Sequence, residues 1–224
     1  ASHELKTPLS IIKLLSDSLI QTENPDPQFL REFLTDMNEE VERLTRIIQR
    51  LLDLTKMDQS HTNMNVEVVS VTALAGEVCE KLKPLAENKQ INFIYTRPDD
   101  DLMMPIDRDS MTEAIYNIAD NSIKYTENGG TVKLELLRDL GNILIRISDS
   151  GIGIPKEDLA RVFERFYRVD KARSREMGGT GLGLSIAKEI IEQNNGSIDI
   201  KSEMGKGTEV VIRIPAVKKG TENE

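Results

Sequence analysis

Two apolar stripes with helical spacing, separated by a proline-rich break, most tightly constrain how this chain can begin to fold. Leucine and isoleucine recur at helical intervals from Leu5 to Leu19, and a second stripe from Leu30 to Leu51 alternates steps of four and three residues. The segment Asn24–Pro27 contains two prolines, which cannot continue a helix and which restrict the residue before them. The pattern therefore predicts an antiparallel helical hairpin.

A single hairpin of this kind encloses too little interior to be stable alone. Two copies would bury both stripes in a four-helix bundle, so we expect a homodimer through the hairpin. The alternative is that the stripes pack on the rest of the same chain. The polar stretch Asp58–Asn63 follows and favours a domain boundary. We therefore expect a dimerisation hairpin at 1–60 and a second domain at 64–217.

The second domain alternates strand and helix patterns. Strands are predicted at Val66–Val71, Ile91–Thr96, Leu102–Ile106, Thr131–Leu137, Asn142–Ser148, Ser197–Ser202 and Glu209–Ile214. Helices are predicted at Thr72–Asn88, Asp107–Tyr125 and Ser185–Gln193. Hairpins beside helices are typical of an α+β sandwich, in which helices cover one face of a mixed sheet. Core positions are expected at Met111, Ile115, Ile118 and Ile123.

Composition excludes several classes of function. A net charge of −9 repels nucleic-acid phosphates, which need clustered Lys and Arg, so we expect no nucleic-acid binding. The single cysteine, Cys79, rules out an intrachain disulfide and fits a reducing compartment. We expect it to be a small buried hydrophobe. No apolar run in the sequence approaches the ~20 residues that span a bilayer.

Three segments point to a nucleotide. The first, Asp149–Pro155, follows a predicted strand and contains Gly151 and Gly153, which let the backbone turn sharply and approach a ligand closely. The Asp149 carboxylate can accept a hydrogen bond from an amine such as adenine N6. An ordinary turn is the alternative.

The second segment, Gly178–Leu184, contains four glycines and opens a predicted helix. Unhindered amides at a helix N-terminus form an anion site, which suits a di- or triphosphate. A flexible linker before the helix is the alternative.

The third segment is Asn117–Tyr125, in which Asn117, Asn121 and Lys124 share one helix face. Amide oxygens are hard ligands suited to Mg²⁺, and Lys124 supplies a positive charge for phosphate. A solvated polar face is the alternative.

A long charged stretch lies between the two glycine segments. It begins with Phe163–Arg168 and continues through Lys171, Arg173 and Arg175. This character is typical of a mobile lid over a ligand, although the aromatic residues would also serve to anchor a loop to the core.

A histidine followed at once by an acid opens the hairpin, at His3 and Glu4. Neutral imidazole is a good nucleophile at about pH 7, and a carboxylate that holds one ring nitrogen leaves the other free to attack phosphorus. Pro8 has no N–H for the carbonyl of Glu4, so we expect it to bend or loosen the helix beside His3.

Taken together, six segments resemble the H, N, G1, F, G2 and closing glycine boxes of bacterial sensor histidine kinases. In chain order they are His3–Pro8, Asn117–Tyr125, Asp149–Gly153, Phe163–Arg168, Gly179–Gly183 and Gly205–Thr208. The resemblance covers nearly the whole chain. It implies a dimerisation and phosphotransfer hairpin, followed by an ATP-binding domain of the Bergerat type shared with gyrase, MutL and heat-shock chaperone ATPases.

The resemblance also implies residue roles in the chemistry. His3 would be the phospho-acceptor and Glu4 its general base, and Thr7 matches the position thought to orient water when such kinases dephosphorylate their partner. Asn121 would be the Mg²⁺ ligand, with Asn117 supporting it.

Further roles implied by the resemblance concern ATP. Lys124 and Tyr125 would contact phosphates, and Asp149 would read adenine. Glycines would admit the base and shape the lid hinge and phosphate site, at Gly151, Gly153, Gly179, Gly181 and Gly183. The remaining implied nucleotide contacts are Ile154, Phe166, Arg168, Thr180, Leu182 and Thr208.

The activity implied is ATP-dependent autophosphorylation of a histidine, then phosphotransfer to an aspartate on the receiver domain of a response regulator, with phosphatase activity on that regulator. The chain opens at Ala1 without an initiator Met, so we expect a cytoplasmic fragment of a parent protein anchored in the cell membrane. Family hairpins carry more helix before the histidine, so the site is expected to fray here.

The residues disfavour three other functions. An ATP-hydrolysing chaperone or DNA-repair relative would carry a water-activating Glu where Asn117 stands, and would lack the His-Glu hairpin. A nucleotide-binding scaffold without catalysis is disfavoured by His3, Glu4 and Asn121. A soluble α/β domain with coincidental loops is disfavoured by the order of the motifs.

Overall fold

The chain forms two compact units that divide after Thr62. The computed structural model describes residues 2–22, 25–60, 65–139, 141–169 and 181–215, and at residues 2–4, 46 and 49–60 it describes the helical backbone alone. Among the described helices, none combines the length and apolar character needed to cross a bilayer.

The first unit is the predicted helical hairpin. Helix α1 covers Ser2–Gln21 and helix α2 covers Pro27–Ser60, and the two helices pack on each other. Pro27 occupies the first helical position, where its fixed φ and missing N–H cost nothing. In the first turn of α2, Leu30 N–H donates to the Asp26 carbonyl at 2.9 Å. The proline-rich break therefore separates the helices as predicted.

Two details of the hairpin differ from simple pattern reading. Helix α1 continues through Pro8, so this proline costs one hydrogen bond near the beginning of the helix without ending it. Helix α2 runs to Ser60, which places half of the polar stretch Asp58–Asn63 inside the helix. Each residue added to an existing helix forms another backbone hydrogen bond. Polar side chains do not prevent that bond, so α2 extends into the polar stretch.

The apolar stripes of the hairpin stay largely uncovered in the single chain. Among its described side chains only Pro8 and Ile47 are buried, whereas Leu9 of the first stripe and Leu34 of the second are 60% and 52% exposed. On α2, Val41 is also exposed. The stripes therefore present an apolar surface that one chain does not bury.

The second unit contains seven strands and three helices among its described residues. The strands are β1 Val66–Ser70, β2 Asn92–Thr96, β3 Met103–Asp107, β4 Thr131–Asp139, β5 Asn142–Asp149, β6 Ser197–Glu203 and β7 Gly207–Pro215. The helices are α3 Val71–Asn88, α4 Arg108–Tyr125 and α5 Gly183–Gln193.

These elements form the predicted α+β sandwich. A five-stranded sheet has the order β2-β4-β5-β7-β6, in which β2 and β4 are parallel and the other neighbours antiparallel. Strands β1 and β3 form a separate antiparallel pair. Helix α4 contacts α3, α5 and the central strands β4 and β5. The mixed sheet and the helical layer are thus confirmed.

Helix α4 is the central helix of this layer. The Asp107 carboxylate caps it by accepting the Ser110 N–H at 2.9 Å, which satisfies one of the free donors at a helix start. The four predicted core positions are all at most 1% exposed: Met111, Ile115, Ile118 and Ile123. Across from them the sheet is lined by buried residues such as Leu134 and Ile145.

Helix α3 begins one residue earlier than predicted, at Val71, because Ser70 ends β1 and caps the helix. The Ser70 hydroxyl accepts the Ala73 N–H at 2.9 Å. Cys79 is a buried free thiol on this helix, as predicted. Burial, together with the negative charge of Glu80, raises the pKa of the Cys79 thiol to about 12, which keeps it in the unreactive protonated form.

Candidate functional site

The Asp149 carboxylate lies at the end of the central strand β5 and is held by three donors. Its Oδ1 accepts the backbone N–H of Gly151 at 2.9 Å and of Thr208 at 3.1 Å, and the Ser122 hydroxyl also hydrogen-bonds to it. Burial raises the pKa of Asp149 above its usual 3.8, and these hydrogen bonds oppose the shift. The carboxylate is therefore fixed in orientation while keeping acceptor capacity, because an ionised carboxylate has about four lone-pair sites.

The loop after Asp149 is held at both of its sides. Ile152 N–H donates to the Tyr125 carbonyl at the end of α4 at 3.2 Å, and the Ile152 carbonyl accepts the Gly205 N–H at 2.8 Å. Ile154 N–H donates to Ser202 Oγ at 2.8 Å. The loop therefore joins the end of α4 to the β6–β7 hairpin.

Two glycines near this loop leave no room for a side chain. Gly153 has φ +72°, and a Cβ there would lie 2.1 Å from the Glu203 carbonyl oxygen. Gly207 has φ +105°, and a Cβ there would lie 1.9 Å from the Asp149 carbonyl oxygen. Both positive φ values favour glycine. The sequence predicts that Gly153 allows close approach to a ligand; the close approach in the structure is between the loop and the β6–β7 hairpin.

The first residue of α5 faces two amide side chains of α4. A Cβ at Gly183 would lie 3.5 Å from Asn117 Oδ1 and 3.6 Å from Asn121 Nδ2. The structure thus brings the Asn segment and the second glycine segment together, although they are far apart in sequence. Lys124, one turn beyond Asn121, pairs instead with Asp120 at 2.6 Å.

The aromatic segment docks on Gly181, within the second glycine segment. Phe166 N–H donates to the Gly181 carbonyl at 2.9 Å, and both residues have positive φ. Arg165 Nη2 pairs with Glu189 Oε2 on α5 at 2.9 Å. For a non-glycine residue a positive φ such as that of Phe166 is uncommon and costs energy. The beginning of the predicted lid is therefore anchored to α5.

Several predicted site residues, or their side chains, lie outside the part of the chain that the structure describes. These are the side chains of His3 and Glu4, and residues Lys171, Arg173, Arg175, Gly179 and Thr180. Thr7 lies on α1 in the hairpin unit, and Leu182 is buried just before α5.

Two serine hydroxyls at this site were not predicted from the sequence. Ser122 is buried and bonds to Asp149, and Ser202 Oγ bonds to Thr208 Oγ1 at 2.9 Å. A serine carries no distinctive sequence signal by itself. The only hint was the position of Ser122 directly after Asn121, within the polar segment.

The donor set favours a particular kind of metal ion. Within the described ranges no three His, Cys, Asp or Glu side chains come together to hold an ion. The amides of Asn117 and Asn121 face the start of α5, the first with Oδ1 and the second with Nδ2, and each amide carries one hard oxygen donor. Mg²⁺ keeps several waters and takes substrate phosphates as ligands, so it needs few protein donors and the chemistry of these amides fits it.

Comparison with known families agrees with this geometry. Residues 106–218, which contain α4, both glycine segments and β7, match the family described as histidine kinase-, DNA gyrase B- and HSP90-like ATPase. The chain belongs to this family. Its second unit is accordingly an ATP-binding domain.

The hairpin of this ATPase-family chain matches a second family. Residues 1–60 match the His Kinase A (phospho-acceptor) domain. The two matches in one chain identify the catalytic core of a sensor histidine kinase, as the motifs indicated.

Curated relatives of this histidine kinase core carry the same designation. The sensor histidine kinase WalK of Bacillus subtilis (strain 168) is 37% identical over 216 residues, which is 96% of this chain and 35% of that protein. Sensor protein kinase WalK of Staphylococcus aureus is also 37% identical, with 52% of its length covered. The chain thus spans about a third to a half of these relatives.

Solved structures show the same fold. The mycobacterial sensor histidine kinase MprB is 28% identical, with a TM-score of 0.58 over 67% of this chain and 97% of that chain. Histidine kinase ThkA, solved in complex with the response regulator protein TrrA, has a TM-score of 0.74 over 96% of this chain and 60% of that chain. At 22% identity, this second likeness shows the fold alone.

Gly205 and Gly207 lie in the same turn and give a matched test of the close approach between Gly207 and the Asp149 carbonyl. Gly205 has φ +75° with nothing within 4 Å of an added Cβ, so Gly205→Ala should lower the free energy of unfolding by roughly 1–2 kcal/mol of backbone strain. Gly207→Ala adds the clash with Asp149 and should cost about 3 kcal/mol or more. Urea unfolding measures both. Equal costs would contradict the assigned backbone contact.

Proposed function

We propose that this chain uses Mg-ATP to phosphorylate His3 and then passes the phosphoryl group to an aspartate on the receiver domain of a response regulator. The observation that carries the proposal is the pairing of two ends of a nucleotide site in one unit. A fixed carboxylate, Asp149, stands at one end. Two amides and a glycine-opened helix stand at the other, with Gly183 beside Asn117 and Asn121.

Asp149 is proposed to recognise the adenine ring. Its carboxylate has acceptor sites beyond those used by Gly151 and Thr208, and the exocyclic amine of adenine is a donor of matching chemistry. Gly151 and Gly153 carry no side chain, and Ile154 follows as an apolar neighbour for the base.

The phosphates are proposed to lie at the start of α5. Backbone N–H groups at a helix N-terminus attract anions, and here residues Gly179–Gly183 would supply them. Tyr125, Phe166 and Arg168 are proposed as further nucleotide contacts. Asn121 would hold Mg²⁺ with support from Asn117, and the ion would neutralise charge on the phosphates. Lys124 would have to exchange its partner Asp120 for phosphate.

In the proposed first step, the γ-phosphoryl group of ATP is transferred to His3 of the hairpin. A ring nitrogen of His3 attacks the γ-phosphorus, an N–P bond forms and the bond from that phosphorus to the β,γ-bridging oxygen breaks, so ADP leaves with the electron pair. Glu4 takes the imidazole proton. The phosphohistidine then gives the phosphoryl group to a carboxylate oxygen of the regulator. Thr7 would orient the water that later cleaves the regulator's acyl phosphate.

An amide at position 117 supports transfer over hydrolysis. An asparagine side chain is not basic enough to deprotonate water, whereas a carboxylate at this place would be. Asn117 faces Gly183, beside the proposed phosphate site, so water there lacks a general base from this residue.

The proposed partners follow from the hairpin and from the relatives. The apolar stripes, whose Leu9, Leu34 and Val41 are exposed, support a homodimer. The structure of ThkA with TrrA supports a response regulator as the second partner. By the motif resemblance, the parent protein is proposed to be membrane-anchored outside these residues, with this part facing the cytoplasm.

Radiolabelling tests the autokinase directly. The chain, and the full-length protein that contains it, should acquire acid-labile, base-stable label from γ-labelled ATP with Mg²⁺. His3→Gln and Asn121→Ala should abolish this label, because they remove the acceptor and the metal ligand. The chain's only other histidine, His61, gives the matched control His61→Gln, which should keep it. Nucleotide binding without label in the full-length wild type would favour a non-catalytic scaffold.

The pH dependence of ADP binding tests Asp149. Because burial raises the pKa of Asp149 above 3.8, its acceptor form is present at neutral pH and is lost on acidification at a higher pH than for an ordinary carboxyl. Asp149→Asn should weaken ADP binding roughly 10- to 100-fold at neutral pH. The affinity gap between wild type and variant should close as the pH falls. A gap independent of pH would contradict an ionised acceptor.

Sedimentation tests the hairpin dimer. We expect a dimer at tens of micromolar, and Val41→Glu should shift it towards monomer because it places a charge on the exposed apolar stripe. Thr35→Glu adds the same charge at an exposed position outside that stripe and should leave the dimer intact. A monomeric wild type at these concentrations would count against the dimer.

A further inference from the structure

The side chain of Lys89 closes the end of a helix to which it does not belong. Lys89 follows α3, and its backbone N–H donates to the Ala86 carbonyl. Its ammonium crosses to the end of α4, where Nζ donates to the carbonyls of Ile123 at 2.9 Å, Lys124 at 2.8 Å and Thr126 at 2.8 Å. An ammonium has three donors, so all of them are used on one short stretch of backbone.

The end of α4 is where such a cation has most effect. The last carbonyls of a helix lack partners within it and carry partial negative charge. Lys124 is the basic residue of the last turn, but its ammonium is drawn back to Asp120. Lys89 therefore supplies the positive charge on these carbonyls. Burial lowers the pKa of Lys89, as expected for an ammonium that has exchanged water for backbone oxygens.

The carbonyl enclosed by these contacts carries the loop that follows Asp149. Tyr125 lies between Lys124 and Thr126, and its carbonyl accepts the Ile152 N–H at 3.2 Å. A Cβ at Gly151 would lie 2.4 Å from the same oxygen, so the loop packs directly against it. Any shift of the last turn of α4 would move this loop.

We propose that Lys89 is a positioning residue for the adenine end of the nucleotide site. By holding the carbonyls on either side of Tyr125, it sets the place of the 149–153 loop and of the carboxylate that the loop orients. The inference rests on the proposed nucleotide function. It adds Lys89, which directly follows α3 and lies outside all six motif segments.

Base selectivity separates this role from that of a simple helix cap. ADP carries an amine where IDP carries a carbonyl oxygen, so a correctly placed Asp149 favours ADP over IDP. A variant that only loosens the fold weakens both nucleotides by the same factor. A variant that displaces the loop weakens ADP more than IDP.

The experiment measures the dissociation constants of ADP and IDP for wild type, Lys89→Met and Lys83→Met, with folding checked by circular dichroism. Lys83 is an exposed lysine on α3, and its variant matches the loss of charge. We expect Lys89→Met to weaken ADP binding about tenfold, to weaken IDP binding less, and so to lower the ADP preference. Lys83→Met should leave both constants unchanged. Lys89→Gln, which removes the charge but keeps an amide donor, gives the same comparison if the Met variant does not fold.

Equal weakening of ADP and IDP, or no weakening, would overturn the positioning role of Lys89. Asp149→Asn in the same assay keeps the two proposals apart. If this variant loses the ADP preference while Lys89→Met retains it, only the positioning role fails. If wild type binds neither nucleotide, the proposed nucleotide function fails with it.

Discussion

The packing of helix α4 on the central strands β4 and β5 is the contact on which the candidate site depends. One side of this helix is closed into the core at residues such as Ile115 and Ile118, and rotation of the helix would expose them at a cost of about 1.5–3 kcal/mol each. That burial sets the direction of the other side. The amides of Asn117 and Asn121 consequently face the start of α5, and the Tyr125 carbonyl faces the loop after β5.

Backbone contacts join the parts that this packing brings near. The 149–153 loop is held by the end of α4 on one side and by Gly205 on the other, while Gly207 lets the β6–β7 hairpin approach Asp149 to a distance that excludes a Cβ. The carboxylate at the adenine end is therefore oriented by donors from three different elements. Such a site tolerates little displacement, because catalytic and binding groups act only within narrow geometric limits.

The two units solve the problem of burying apolar surface differently. The second unit closes its own core between sheet and helices, with alternate residues of its central strands, such as Leu134 and Ile145, buried. The hairpin leaves its stripes exposed at residues such as Leu9 and Leu34, since two helices have too little interior to cover them. This contrast accords with a nucleotide-binding unit that folds around itself and a phospho-acceptor unit that relies on a partner.

The sequence by itself determined the hairpin, the α+β class and the buried face of α4, because these follow from local periodicity and from prolines that act on their neighbours. It also marked Asn121, Asp149 and the glycines as a set through their motifs. Tertiary structure alone decided that Lys89, Ser122 and Ser202 belong to the same surroundings. Their hydrogen bonds cross up to 59 residues of chain around Asp149 and up to 37 from Lys89. A lysine or serine has the same local signature wherever it stands, and only the fold selects its partner.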